Sequence, residues 1–235
     1  MLALQASIGA LNDLVDAPLD AGRKPGKPIP AGLVTSTEAR RVVVLGAGIG
    51  IALAATSGPG LALLAIGILG VGYAYDLRAK GTAWSWLPFA IGIPLLPVFG
   101  WFGVDGRVPD AFLILLPTAV VAGAGLAIAN ARADRDRDLD AGLDSVAIRL
   151  GLTRAWVIEA VLLGAAVAVA IGSVWLRGGQ PGAVVATLLA GLVVATGLVI
   201  GRDADAARRE RAWEVEAVGV ALLAVAWLVG YGGLE

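Results

Sequence analysis

Long apolar runs alternate along the chain with short, strongly polar segments, and the runs predict helices. They occupy residues 1–20, 37–57, 60–76, 83–104, 110–131, 153–176, 181–201 and 213–232. Most approach the roughly 20 residues that a helix needs to cross a hydrocarbon core of about 30 Å. They are too long and too continuous for the alternating strands of a membrane barrel. The expected architecture is all-α, a polytopic membrane helical bundle with eight transmembrane helices. Glycines recur inside the spans, as at Gly46, Gly48 and Gly50 or Gly123 and Gly125. Close packing of neighbouring helices accounts for most of them.

The polar segments then give the chain an orientation. If loops alternate between two faces, one face receives segments 20–36, 76–82, 131–152 and 202–212, with the helix ends next to them, which carry Arg40, Arg41 and Arg154. That face holds every Lys and Arg of the 18 except Arg107 and Arg177. The positive-inside rule makes it cytoplasmic and places Met1 outside. Composition narrows the chemistry. Hydrophobic residues make up 58% and charged residues 16% of the 235 positions, unlike a water-soluble enzyme. There is no Cys and no His, so thiolate, disulfide and imidazole chemistry are excluded. The net charge of −1 offers no field to recruit nucleic acid. Any metal must be held by oxygen.

Two acidic segments carry the candidate chemistry. In Asn12-Asp13-Leu14-Val15-Asp16-Ala17-Pro18-Leu19-Asp20, the aspartates fall at i, i+3 and i+7, on one helical face. Like charges at a membrane helix end are costly to desolvate and make sense with a cation among them. Hard divalent ions such as Mg²⁺ take carboxylate oxygens and complete their shell with water and phosphate. The second segment runs Asn130-Ala131-Arg132-Ala133-Asp134-Arg135-Asp136-Arg137-Asp138-Leu139-Asp140. Asn12, Asp16 and Asp20 and, 118 residues later, Asn130, Asp134 and Asp138 share the spacing N-x-x-x-D-x-x-x-D. Each segment closes an outside-to-inside span, which reads as a parallel internal repeat with halves of about 1–108 and 109–235 in a single domain. Two such helices facing each other would form an acidic ring open to the cytoplasm. Asp136 and Asp140, interleaved with arginines, read as solvated.

Basic residues accompany the acids: Arg23, Lys24 and Lys27 follow the first segment, and Tyr75-Asp76-Leu77-Arg78-Ala79-Lys80 forms a polar loop on the same face. Metal-binding carboxylates beside Lys and Arg suit a diphosphate. Topology alone explains most of the cations, but less well Lys27, held between Gly26 and Pro28.

These residues resemble the UbiA superfamily of intramembrane prenyltransferases. Its first motif, N-D-x-x-D-x-x-x-D, stands intact as Asn12 to Asp20, and Lys27-Pro28-Ile29-Pro30-Ala31-Gly32 is similar to the usual continuation. Asp134 and Asp138 match the second motif in a run similar to the 4-hydroxybenzoate branch, and Tyr75-x-Leu77-x-x-Lys80-x-Thr82 resembles a family loop. The resemblance implies Mg²⁺-dependent transfer of an isoprenoid chain from a polyprenyl diphosphate to an aromatic or lipid acceptor. It implies two Mg²⁺ on Asp13, Asp16, Asp20, Asp134 and Asp138, with Asn12 and Asn130 orienting that shell. Lys27 and Lys80, with Arg23 and Arg78, would neutralise the diphosphate, and Tyr73, Tyr75 and Trp84 would face the allylic cation. The setting would be a bacterial plasma membrane, with the site facing the cytoplasm and membrane lipid around the tail. Intramembrane acids and repeats also suit a secondary transporter, and an inactive scaffold is a third reading.

The family has nine helices, with the first motif on the second. Here the motif falls on the first, after only about eleven apolar residues. The gene product is therefore expected to begin upstream of Met1 with one further span.

Overall fold

A computed structural model describes residues 1–22, 26–202 and 205–230. Its described residues form α-helices joined by short loops, with no strand. The long helices are α1 (Leu2–Asp20), α2 (Ser36–Thr56), α3 (Pro59–Ala74), α4 (Trp86–Asp105), α5 (Phe112–Asp140), α7 (Leu152–Leu176), α8 (Pro181–Gly201) and α9 (Ala206–Gly230), with a short α6 at Val146–Leu150. Among the described residues, seven segments are long and apolar enough to cross a membrane: α2, α3 with the turn that extends it, α4, α5, α7, α8 and α9. The chain is an integral membrane protein. The eighth expected span exists as α1, but Gln5, Asn12, Asp13 and Asp16 interrupt its apolar run. Side chains such as Val44, Leu63, Leu113, Val161, Leu192 and Val229 stand largely exposed. In lipid that apolar surface has no penalty to avoid, so helix association rests on packing and hydrogen bonds.

Two boundaries differ from the pattern of apolar runs. The helix expected over 110–131 continues through the acidic segment to Asp140, a 29-residue rod about 44 Å long. The last helix begins at Ala206, not 213, because the arginines there belong to its first turns. Charged residues at a helix end reduce the apolar signal without breaking the helix.

The chain divides into two compact units. The first comprises Met1–Lys80 and Leu95–Val108. Its core gathers Leu4, Ala54, Leu61, Ala65, Ile68, Leu69 and Phe99. A Cβ on Gly46 would lie 2.8 Å from the carbonyl oxygen of Ala3, so only glycine lets α2 approach α1 this closely. Ser7, fully buried on α1, donates to the Val43 carbonyl at 2.6 Å and meets the Tyr73 hydroxyl at 2.7 Å. α2 starts with a capping box in which Thr35 and Glu38 satisfy each other's backbone N–H groups. α3 does not stop at Ala74; it widens into a π-helical turn, Tyr75–Ala79, closed by the Lys80 N–H on the Tyr75 carbonyl at 2.9 Å.

The second unit comprises Gly81–Pro94 and Pro109–Glu235. It is tied together by charge. Arg132 of α5, 3% exposed, donates to both carboxylate oxygens of the fully buried Glu159 on α7, at 2.8 and 3.1 Å. Its other terminal nitrogen donates to the Gly201 carbonyl at the end of α8, at 2.6 Å. Arg209 of α9 donates to the Arg132 carbonyl at 2.9 Å. Glu216, also fully buried, nests against Gly197, where a Cβ would stand 2.5 Å from its Cγ. One cluster thus joins four helices.

Removing one partner of a buried ion pair strands the other. Glu159→Leu is expected to destabilise the protein by about 3–5 kcal/mol, read as a lowered thermal midpoint in detergent. Arg132→Met combined with Glu159→Leu should recover much of the loss.

Candidate functional site

Each unit presents one acidic helix end. In the first unit, α1 delivers Asn12, Asp13, Asp16 and Asp20 at its C-terminal end, with Asp20 buried. The loop that follows brings Lys27 back onto Asp13, Nζ to Oδ1 2.5 Å. That loop is stapled by backbone bonds from Ala31 to Lys27 and from Leu33 and Val34 to Pro28, which accounts for the fixed position of Lys27. The π-helical turn brings Lys80 onto Asp16 and places its ammonium 5.9 Å from the centroid of the Tyr75 ring. The same turn presents Asp76, whose Oδ1 accepts from the Asn12 amide at 2.9 Å. Arg78 is exposed on that turn. Arg23 lies outside the described residues.

Both lysine–aspartate pairs remain partly open to solvent, with side-chain exposures of 29 and 25% for Lys27 and Asp13 and 26 and 13% for Lys80 and Asp16. Partial burial works against the Lys27 charge, yet the hydrogen bond and attraction of Asp13, aided by Asp20 and Asp16, hold its pKa above the ordinary 10.5. With the folded value raised, the contribution of the Lys27 charge is fully present at neutral pH and falls away on the alkaline side as pH rises through that higher value.

In the second unit, Asn130, Asp134 and Asp138 stand one helical turn apart on α5. Asp134 pairs with Arg137 of its own helix. Asp136 points elsewhere: it is exposed and meets Arg209 of α9 at 2.7 Å. Asp140 is exposed too. Below the helix end, the Leu143 N–H bonds the Asp138 carbonyl at 2.9 Å and the Asp144 N–H bonds the Gly81 carbonyl at 3.1 Å.

Of the aromatic residues expected to face a cation, Tyr75 already lies under Lys80. Tyr73 is tied to Ser7, and Trp84 is 65% exposed. Among the described residues, no three carboxylates form a group that by itself could hold a metal ion. The donor set still fits Mg²⁺. Its oxygens are hard, and this ion usually takes one or two carboxylates, leaving other positions to water and phosphate. Asp76 carries a further sign: its Oδ2 is buried without a hydrogen-bond partner. The sequence shows Asp76 only as one polar residue of a polar loop and does not single out Glu159 or Glu216. The signal for the two glutamates was available, since each is an isolated acid within an apolar run.

Two helices, one in each unit, thus end in carboxylates, and ammonium groups are drawn onto those of α1. Residues 1–228 match the UbiA prenyltransferase family, and the chain belongs to it. No curated protein matches the chain in sequence. Among solved structures, a UbiA homologue from Aeropyrum pernix K1 is similar at 22% identity and a TM-score of 0.77, covering 97% of this chain and 85% of that one. A UbiA homologue from Archaeoglobus fulgidus bound to DMAPP and Mg²⁺ is similar at 20% identity and a TM-score of 0.66, covering 95% and 84%. A digeranylgeranylglyceryl phosphate synthase is similar at 18% identity and a TM-score of 0.68, covering 97% and 82%. These likenesses bear on the fold.

Asp136 and Asp138 are two residues apart, about 200° around a helix, and Asp136 is engaged by Arg209. Asp138→Asn is therefore expected to lower prenyl transfer at least about tenfold more than Asp136→Asn. Turnover of the two purified variants, measured side by side, checks this.

Proposed function

We propose that the chain transfers an isoprenoid chain from a polyprenyl diphosphate to an aromatic or lipid acceptor inside the membrane, releasing diphosphate. The observation that carries this reading is the recurrence of N-x-x-x-D-x-x-x-D at two helix ends, the first of them met by Lys27 and Lys80. Family membership and the homologue bound to DMAPP and Mg²⁺ support the donor class. Asp13, Asp16 and Asp20 on one helix and Asp134 and Asp138 on another would hold two Mg²⁺, with Asn12 and Asn130 orienting the acids. When bound, Mg²⁺ supplies Lewis-acid stabilisation of the departing diphosphate.

The remaining roles belong to the chain. Lys27 and Lys80 neutralise phosphate oxygens, exchanging their carboxylate partners for the substrate. Their pairs are partly solvated, so the exchange costs little. Arg78, exposed on the π-helical turn, would add positive charge for the diphosphate; Arg23, expected from the sequence to do the same, lies outside the described residues. As the donor's C–O bond breaks, the allylic cation is attracted by the Tyr75 face. The acceptor attacks that carbon and passes its proton to water or to the released diphosphate, which needs no imidazole. The isoprenoid tail lies along apolar helix surfaces continuous with lipid. The run Asp134-Arg135-Asp136-Arg137-Asp138 favours a 4-hydroxybenzoate-like acceptor. The bias of Lys and Arg to one set of loops favours a cytoplasmic-facing site, and a bacterial plasma membrane is its proposed setting.

Asp16→Ala and Asp134→Ala are each expected to lower turnover of geranylgeranyl diphosphate with an aromatic acceptor by about 10²-fold or more, while the protein still inserts. Near-normal turnover in either purified variant would overturn the role of its acidic segment. A screen of hydroxybenzoate, naphthoate, homogentisate and lipid alcohols identifies the acceptor.

A further inference from the structure

Asp76 lies outside both acidic segments, yet the fold carries it to the first one. It sits in the π-helical turn Tyr75–Ala79 that ends α3, and it is 4% exposed. One carboxylate oxygen is fixed by the Asn12 amide at 2.9 Å. The other, Oδ2, is buried and has no hydrogen-bond partner. Asp13, Asp16 and Lys80 all act on its charge. Lys80, the nearest cation that these elements supply, makes its short contact with Asp16 instead.

A buried carboxylate oxygen left unsatisfied costs about 1–3 kcal/mol or more, since desolvation is not repaid. Folds retain such a group where something else satisfies it. A hydrogen-bond donor could do so, but the neighbouring groups are mainly acids: Asp13 and Asp16 would repel a second carboxylate unless a cation lay among them. The π-helical turn adds to the case. It projects Asp76 inward while leaving Arg78 outward, and such turns recur at functional sites.

We infer that Asp76 is a carboxylate ligand of the divalent cation at the α1 acidic segment, supplied by α3. This rests on the reading that the α1 aspartates hold a metal. Asn12 then serves as the brace between the two helices, its amide holding Oδ1 and leaving Oδ2 for the ion. With α1 and α3 each contributing a carboxylate, the ion links two helices of the first unit. That accords with a cation that takes one or two carboxylates and fills its other positions with water and phosphate.

The test uses the full-length chain in detergent, with Mn²⁺ alone as the probe and no substrate, and free Mn²⁺ followed by electron paramagnetic resonance. Asp76→Asn keeps the carbonyl oxygen that accepts from Asn12 but removes the charge, so it separates a ligand from a mere brace. Its Mn²⁺ affinity is expected to fall at least about tenfold, as is that of Asp16→Ala. Asp144→Asn, at an exposed pair with Arg149, should bind as the unaltered protein does. Wild-type affinity in Asp76→Asn alongside a loss in Asp16→Ala overturns the role of Asp76 alone. Wild-type affinity in both overturns the metal reading of α1 as well. Should Asp76→Asn not yield folded protein, Asp76→Glu decides: a ligand displaced by one methylene changes the affinity, and an unchanged affinity overturns the proposal.

Discussion

A charge within an apolar helix bundle must be matched at short range, because neither lipid nor packed side chains will solvate it. That constraint organises both units. In the second, Arg132 satisfies Glu159 and the end of α8 together, and Arg209 reaches the Arg132 carbonyl from α9. Four helices are thereby joined through Arg132, three by its guanidinium and α9 by its carbonyl, in a medium where the hydrophobic effect between helices is absent. In the first, Lys27 and Lys80 leave their own segments to reach Asp13 and Asp16. The difference lies in exposure. The Arg132 pair is sealed and structural, whereas the lysine pairs stay partly solvated and can exchange partners.

The two acidic segments share their spacing but not their surroundings. The first is answered from elsewhere in its unit, by a proline-fixed loop and by a π-helical turn. In the second, Asp134 meets Arg137 of its own helix, and Arg209 of α9 takes the off-face Asp136. Repetition of a motif therefore does not repeat its chemistry. The first segment has lysines, compact cations that can follow a phosphate. The second has arginines fixed by geometry.

Much of the architecture was legible because its signals are long. Apolar runs near 20 residues located the helices, and the spacing at Asn12 to Asp20 and Asn130 to Asp138 located two helix faces, which the structure keeps helical to Asp20 and Asp140. The helix ends were less legible where charge lies inside helix, as at 132–140 and 206–212. Partners distant in sequence were not legible at all. Lys80 meets Asp16, and Asp76 meets Asn12, across 64 residues, and spacing within a single helix carries no such information. Asp76 read as one polar residue in a polar loop; its burial follows from the π-helical turn, which no periodicity announced. Glu159 and Glu216 were single acids in apolar runs, and their role depends on Arg132 arriving from another helix.

The central claim is that the acidic helix ends serve the departure of diphosphate from an isoprenoid. Its most direct test is release of diphosphate from a labelled isoprenoid diphosphate by membranes bearing the chain, with divalent metal chelated and then restored as Mg²⁺. The account predicts release that ceases on chelation, returns with Mg²⁺ and is absent from membranes lacking the chain. Membranes that release no diphosphate with Mg²⁺ present, across the acceptor classes, yet carry a chain-dependent ion flux, would contradict it.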